Sequence, residues 1–299
     1  MLRKTRRKKG DLLLTVQYEA LILPAFLLYI LFCGVPFFTT FMYSVTNYNQ
    51  YHVHDFGFVG LQNYVEIFSK RFMLVSLLNS LKYAIFMTFF QSLIAIPLAV
   101  LLNKKVPLRN LMRSALFLPA MFSPLVVGYL FQYILGRTGL INSLLAQLGQ
   151  KPIAFFDANN ALNSIIFTQV WQWVGWAVVI YLANLQTIPS DMIEAARVDG
   201  ANEWQIFRRI TLPLLYPGVT VVAISSLVGG LKVFDIIYAT TKGGPGYATE
   251  TIMSTMLNVT SKKGNYALAS AFGVVFFAVV LFLSLILLRL LKAWEKKVS

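Results

Sequence analysis

Six stretches of this chain, at approximately 19–41, 77–102, 114–135, 162–185, 214–238 and 267–291, run for about 20 residues or more with almost no charge. In lipid no water bonds a free N–H or C=O, so such stretches cross as helices that satisfy their own backbone. Only 13% of the 299 residues are charged and 57% are hydrophobic, against roughly 25% charged in soluble domains. The expected fold is therefore an all-α integral membrane protein with six transmembrane helices. No loop is long enough for a soluble domain, so residues 1–299 are expected to form one transmembrane domain.

The net charge of +14 is unevenly placed. With a cytoplasmic N-terminus, six spans return the C-terminus to the same side. The cytoplasmic segments then hold 17 Lys and Arg, including the tail Arg3 to Lys9, and the outer segments hold eight. This is the positive-inside asymmetry, and it sets the orientation. The basic tail fits anionic lipid headgroups, and nucleic acid is not expected as a partner. The first apolar run is too long for a signal core of 7–15 residues and lacks a small-x-small cleavage site, so it reads as an uncleaved span. Cys33, the single cysteine, lies inside it, which leaves no disulfide framework and no cysteine metal site.

The first outer loop is rich in aromatic residues suited to the headgroup layer, and Leu61–Phe68 reads as a short interfacial helix. Prolines 24, 36, 97, 119, 124 and 217 lie inside spans, where kinks are expected. No internal repeat stands out.

The loop 186–213 is unusual. Asp191 suits a helix N-cap with Glu194 three residues on, and Gly200 suits the left-handed position that ends the helix. A second helix can start at Asn202, with Gln205 at its third position and Trp204, Phe207 and Ile210 at helical spacing. The first helix is about two turns long, too short to be stable alone in water, so it needs a surface. Two surfaces are open to it: another protein, which would receive the smooth Ala195-Ala196 face between the charges of Glu194 and Asp199, or the chain's own bundle.

The order Glu194-Ala195-Ala196, three residues, Gly200, nine residues, Ile210, one residue, Leu212-Pro213 resembles the cytoplasmic loop of permease subunits in binding-protein-dependent ABC importers. Phe58–Tyr64, Gly139–Asn142, Phe234-Asp235 and Thr241–Gly246 are similar to segments of the carbohydrate branch, the maltose and oligosaccharide type. Lys242 interrupts that branch's Thr-Gly-Gly-Pro, and the large outer domain of some maltose permeases is absent. The resemblance implies a type I importer permease fold. It also implies a coupling helix at Glu194, Ala195, Ala196, Asp199 and Gly200, seated in an ATPase subunit. ATP and Mg would be bound by a dimer of those ATPase subunits, with no cofactor or metal in this chain. The further partners implied are a second permease subunit, a different homologous chain, and an extracytoplasmic substrate-binding protein. The location implied is the cytoplasmic membrane of a prokaryote.

Polar groups inside spans are costly and need a partner or a task. Gln169, Gln172, Trp173 and Trp176 fall at i, i+3, i+4 and i+7, joining indole faces that stack on sugar rings to amides that match hydroxyls. Helix–helix contact is the plainer alternative for each. In the resembled sugar permeases this part of the helix contacts substrate. Gly229 and Gly230 permit close backbone approach in span five, and Val233 faces the cavity by the same resemblance. Lys232 stands three residues before Asp235, a spacing that suits an internal salt bridge; the other reading turns Lys232 toward the pathway, where it would favour an acidic sugar.

Gly243–Gly246 lacks the Lys-Ser/Thr ending of a phosphate loop and reads as an outer turn. His52, His54 and Asp55 are a weak metal motif. An autonomous secondary transporter would need ion-coupling carboxylates within spans and repeats, and Asp235 is the one acid deep in a span. A membrane enzyme would need clustered His, Asp or Glu at one depth. Import of a non-sugar solute stays open as the nearer alternative.

Overall fold

The computed structural model describes residues 20–104 and 107–298; the basic tail Arg3 to Lys9 and Lys105 lie outside the described residues. The described chain is helical throughout, apart from turns and one isolated bridge between Thr46 and Phe58. Four helices are long and apolar enough to cross a membrane, and six spans result when each of two bent pairs counts as one.

Helix α1 (Ala20–Ser44) carries a π turn at Ile30–Gly34 just ahead of Pro36, where a helical N–H is missing. Its Phe37 and Phe41 meet Phe277 edge-on. Helix α2 (Gln62–Ser69) is the short helix expected in the outer loop. It is clamped to the end of α1, because Asn63 Nδ2 donates to the carbonyls of Ser44 and Thr46 at 2.9 and 2.7 Å.

Helix α3 (Arg71–Asn103) passes Pro97 unbroken, so the kink expected there does not interrupt it. Helix α4 (Arg109–Phe117) and a 3-10 turn at Leu118–Met121 precede α5 (Pro124–Leu135). The chain turns by 98° between these two halves, where the sequence suggested one kinked span over 114–135. Pro119 and Pro124 remove two N–H donors around the corner, and Gln172 Nε2 donates to the exposed Phe122 carbonyl at 2.8 Å.

Helix α6 (Leu140–Gln147) follows α5, and a loop leads on to α7 (Ala161–Leu185). After α8 (Ser190–Val198) and α9 (Glu203–Leu214) the chain bends by 63° into α10 (Tyr216–Leu231). Span five does not continue to 238. It stops at Lys232, and a separate helix α11 (Asp235–Thr240) follows. Helices α12 (Ile252–Lys263) and α13 (Tyr266–Val298) complete the fold.

The centre is α3 packed on α7 and α10. Lipid tails are as apolar as leucine, so close backbone approach and hydrogen bonds hold such helices together. Ala95, Ala99 and Ala177 are fully buried. A Cβ on Gly175 would stand 1.8 Å from the Leu116 carbonyl oxygen, so α7 meets α4 backbone to backbone. Tyr181 donates to Ser92 at 2.9 Å, and Gly218 N–H donates to Asn184 Oδ1 at 3.1 Å.

Candidate functional site: a helical hairpin and a central cavity

No residue of α8 is buried, and α9 is the neighbour it packs against. Glu194, Ala195 and Asp199 are exposed and Ala196 is half-buried. Within the described residues this helix therefore leaves most of its surface open.

The helix end follows from local chemistry. Gly200 has φ +84, its N–H donates to Arg197 O at 3.0 Å, and Ala201 N–H donates to Ala196 O at 2.9 Å. These two bonds make a Schellman end, which satisfies carbonyls that the last turn leaves free. At the start, the cap differs from expectation. Pro189 precedes Ser190 without a side-chain cap, and Asp191 lies in the first turn. Ser190 Oγ donates to Asp191 Oδ1 at 3.3 Å, so the carboxylate is engaged beside the helix start rather than on its free amides.

The capping box forms one helix later. Asn202 Oδ1 accepts from Gln205 N–H at 2.9 Å, and Gln205 Oε1 accepts from Asn202 N–H at 2.8 Å. Glu203 then ties the hairpin together. Its carboxylate accepts from Arg197 at 3.0 Å and from Lys104, at the end of α3, at 3.1 Å. The hydrogen bond from Lys104, then that from Arg197, holds the Glu203 carboxyl below the usual range.

A cavity of about 270 Å³ lies where α3, α7 and α10 meet the break before α11, with Pro124 of α5 at its edge. Gln169, Trp173, Trp176, Gly229, Lys232 and Val233 all line it. The two indoles stand at 83° with centroids 6.5 Å apart, so one face of a flat solute can lie on a ring while its edge meets the other. The Gln169 Oε1 and Tyr83 hydroxyl are buried without a hydrogen-bond partner, and both residues line the cavity. Such groups are costly unless a bound molecule or water completes them.

Gln172 is not part of this wall. It is fully buried and spends its amide on the Phe122 carbonyl. The expected salt bridge between Lys232 and Asp235 is also absent among the described residues. The helix ends between them, so three-residue spacing no longer brings the side chains together; both line the cavity instead.

Tyr83, Met87 and Gln91 on α3 join the wall, as do Ser225, Ser226 and Phe234. Gln91 bridges three helices' worth of polar groups: it donates to the Trp173 carbonyl at 2.9 Å and accepts from Ser226 Oγ at 2.6 Å. A glutamine and a tyrosine in an otherwise apolar span were the available signal for this face. His52 and His54 sit in a 3-10 turn at Val53–Asp55, and no three His, Cys, Asp or Glu converge among the described residues.

The chain is 33% identical to the arabinooligosaccharides transport system permease protein AraP of Bacillus subtilis, over 89% of this chain and 86% of that one. It is 31% identical to the multiple sugar-binding transport system permease protein MsmF of Streptococcus mutans, over 92% and 94% of the two chains. A crystal structure of a bacterial ABC transporter involved in the import of the acidic polysaccharide alginate shares the fold. The TM-score is 0.84 at 22% identity, covering 96% of this chain and 99% of that chain. Residues 91–299 match the family described as binding-protein-dependent transport system inner membrane component, and the chain belongs to that family.

Proposed function

We propose that this chain is the sugar-conducting permease subunit of an ATP-driven importer, working by alternating access. The observation that carries the reading is α8: a nine-residue helix with no buried residue, closed by a left-handed glycine and tied by Glu203 to the end of α3. A helix this short is marginal on its own, so an exposed face of this kind suits a cleft in another subunit. The residues set against that subunit are Glu194, Ala195, Ala196, Asp199 and Gly200.

ATP and Mg belong in this reading to a pair of ATPase subunits. The Gly-rich turn of this chain closes around the Glu250 carboxylate, with Gly243 against Oε2, which suits an outer turn and not a phosphate loop. Closure of the ATPase pair pulls α8, and the bonds through Glu203 and Lys104 pass that motion to α3, whose far part lines the cavity. Rigid-body rocking then exposes the cavity to one side or the other.

In the cavity a sugar stacks on Trp173 or Trp176, while Gln169, Tyr83 and Ser225 meet its hydroxyls. Gly229, Lys232 and Val233 form the opposing wall. A second, homologous permease chain completes the pore, and an extracytoplasmic binding protein delivers the solute to the outer loops. The chain sits in a prokaryotic cytoplasmic membrane with both termini in the cytoplasm.

The test is reconstitution with the second permease and ATPase subunits in liposomes. Loaded binding protein should accelerate ATP hydrolysis, and labelled sugar should accumulate inside. Full accumulation without any nucleotide-hydrolysing subunit would show the reading to be wrong.

A further inference from the structure

We propose that Lys232 and Asp235 form a split charge pair that makes the central cavity selective for an uncharged sugar over a uronic acid. This rests on the sugar reading above. Lys232 and Asp235 are the two charged side chains among the residues that line the cavity. Both are exposed to it, and neither is ion-paired among the described residues.

The chain break keeps them separate. Lys232 ends α10, its N–H donating to Val228 O, and Phe234 at φ −142, ψ −58 redirects the backbone before Asp235 opens α11. The cation also lies at a helix C-terminus, where free carbonyls favour it.

This chain's share of the lining therefore carries no net charge but offers three ammonium donors and two carboxylate acceptors. A neutral polyol can exchange its water bonds for these one by one. A carboxylate sugar loses its hydration and meets Asp235 as well as Lys232, so attraction and repulsion offset each other while the desolvation cost stays. The indoles Trp173 and Trp176 on the facing helix supply the apolar contact that a sugar ring uses and a small inorganic ion does not.

The experiment uses the assembled complex carrying Cys33→Ser and Ser225→Cys, Ser225 being an exposed residue of the cavity wall. Labelling of this chain by neutral, cationic and anionic thiol reagents is read by mass. Lys232→Gln should raise the cation-to-anion rate ratio by about fivefold or more, and Asp235→Asn should lower it by a similar factor, with the neutral rate unchanged. Ratios that neither substitution moves, or a position 225 thiol inert to the neutral reagent, overturn the proposal.

The second arm is equilibrium dialysis of the solubilised complex, without binding protein, against labelled neutral disaccharides and their uronic-acid counterparts. The unaltered complex should retain the neutral sugars, and Asp235→Asn should shift retention toward the uronates by about fivefold or more. Preference of the unaltered complex for uronates overturns the selectivity. Shifted reagent ratios with no sugar retained would instead overturn the sugar reading and leave the charge pair standing.

Discussion

Gly200→Ala isolates one physical cost and no other. Nothing lies within 4 Å of a Cβ built on Gly200, so the substitution meets no clash. The cost is conformational: at φ +84 an alanine gives up about 1–2 kcal/mol. That penalty falls on the Schellman end, whose two bonds to Ala196 and Arg197 close α8. A shift of 1–2 kcal/mol lowers a folded-to-open ratio by a factor of about 5–30. Hydrogen exchange in the reconstituted complex reads this directly. The amides of Asp199, Gly200 and Ala201 should exchange faster by that factor in Gly200→Ala, while the buried centre of α7 stays unchanged. Gly200→Asn, which tolerates the left-handed region better, should fall between the two. ATPase stimulation by loaded binding protein should decline in the same order. Equal exchange in all three proteins would refute the reasoning, because the end of α8 would then not depend on the backbone angle.

Other perturbations separate packing from function. Gly175→Ala places a Cβ 1.8 Å from the Leu116 carbonyl oxygen, so it should cost several kcal/mol and abolish stable insertion, measured by thermal aggregation of the detergent-solubilised chain. Gly229→Ala has open space and should leave that melting point within a degree or two, while slowing sugar uptake. Gln172→Leu removes the donor to the Phe122 carbonyl and should cost about 0.5–1.5 kcal/mol, the net worth of one hydrogen bond, whatever sugar is present. Glu203 is held ionised by Lys104 and Arg197, so its folded pKa lies below the unfolded one. Its tie across the hairpin is present above the ordinary carboxylate range of about 4.3 and is lost as pH falls through the lowered value. Exchange of the α8 amides should rise in that acid window in the native protein and show no such step in Glu203→Gln.

Much of the α8–α9 hairpin was legible along the chain because its determinants are local. Gly200 announces a left-handed end, and Asn202 with Gln205 announces a capping box, from spacing alone. Asp191 misled for a local reason too, since the helix is capped two residues earlier, at Pro189, and Ser190 takes up the carboxylate. The cavity was legible in part. Gln169, Trp173 and Trp176 share a helical face, but Gln172 on the edge of that face turns to the corner at Phe122, which belongs to another helix. Gln91 and Tyr83 were visible as polar groups inside an apolar run, yet nothing in their own span says which helix they face.

What the sequence determined alone was the set of apolar lengths, the left-handed end of α8 and the capping box that opens α9. All of these depend on residues within a turn or two of each other and on the solvent around them. The tertiary structure decided where spans break. The 98° corner before α5 and the end of α10 at Lys232 both need partners from distant helices to satisfy or accommodate the interrupted backbone. Those breaks put Lys232 and Asp235 on one wall without joining them, and no count of residues between them contains that outcome.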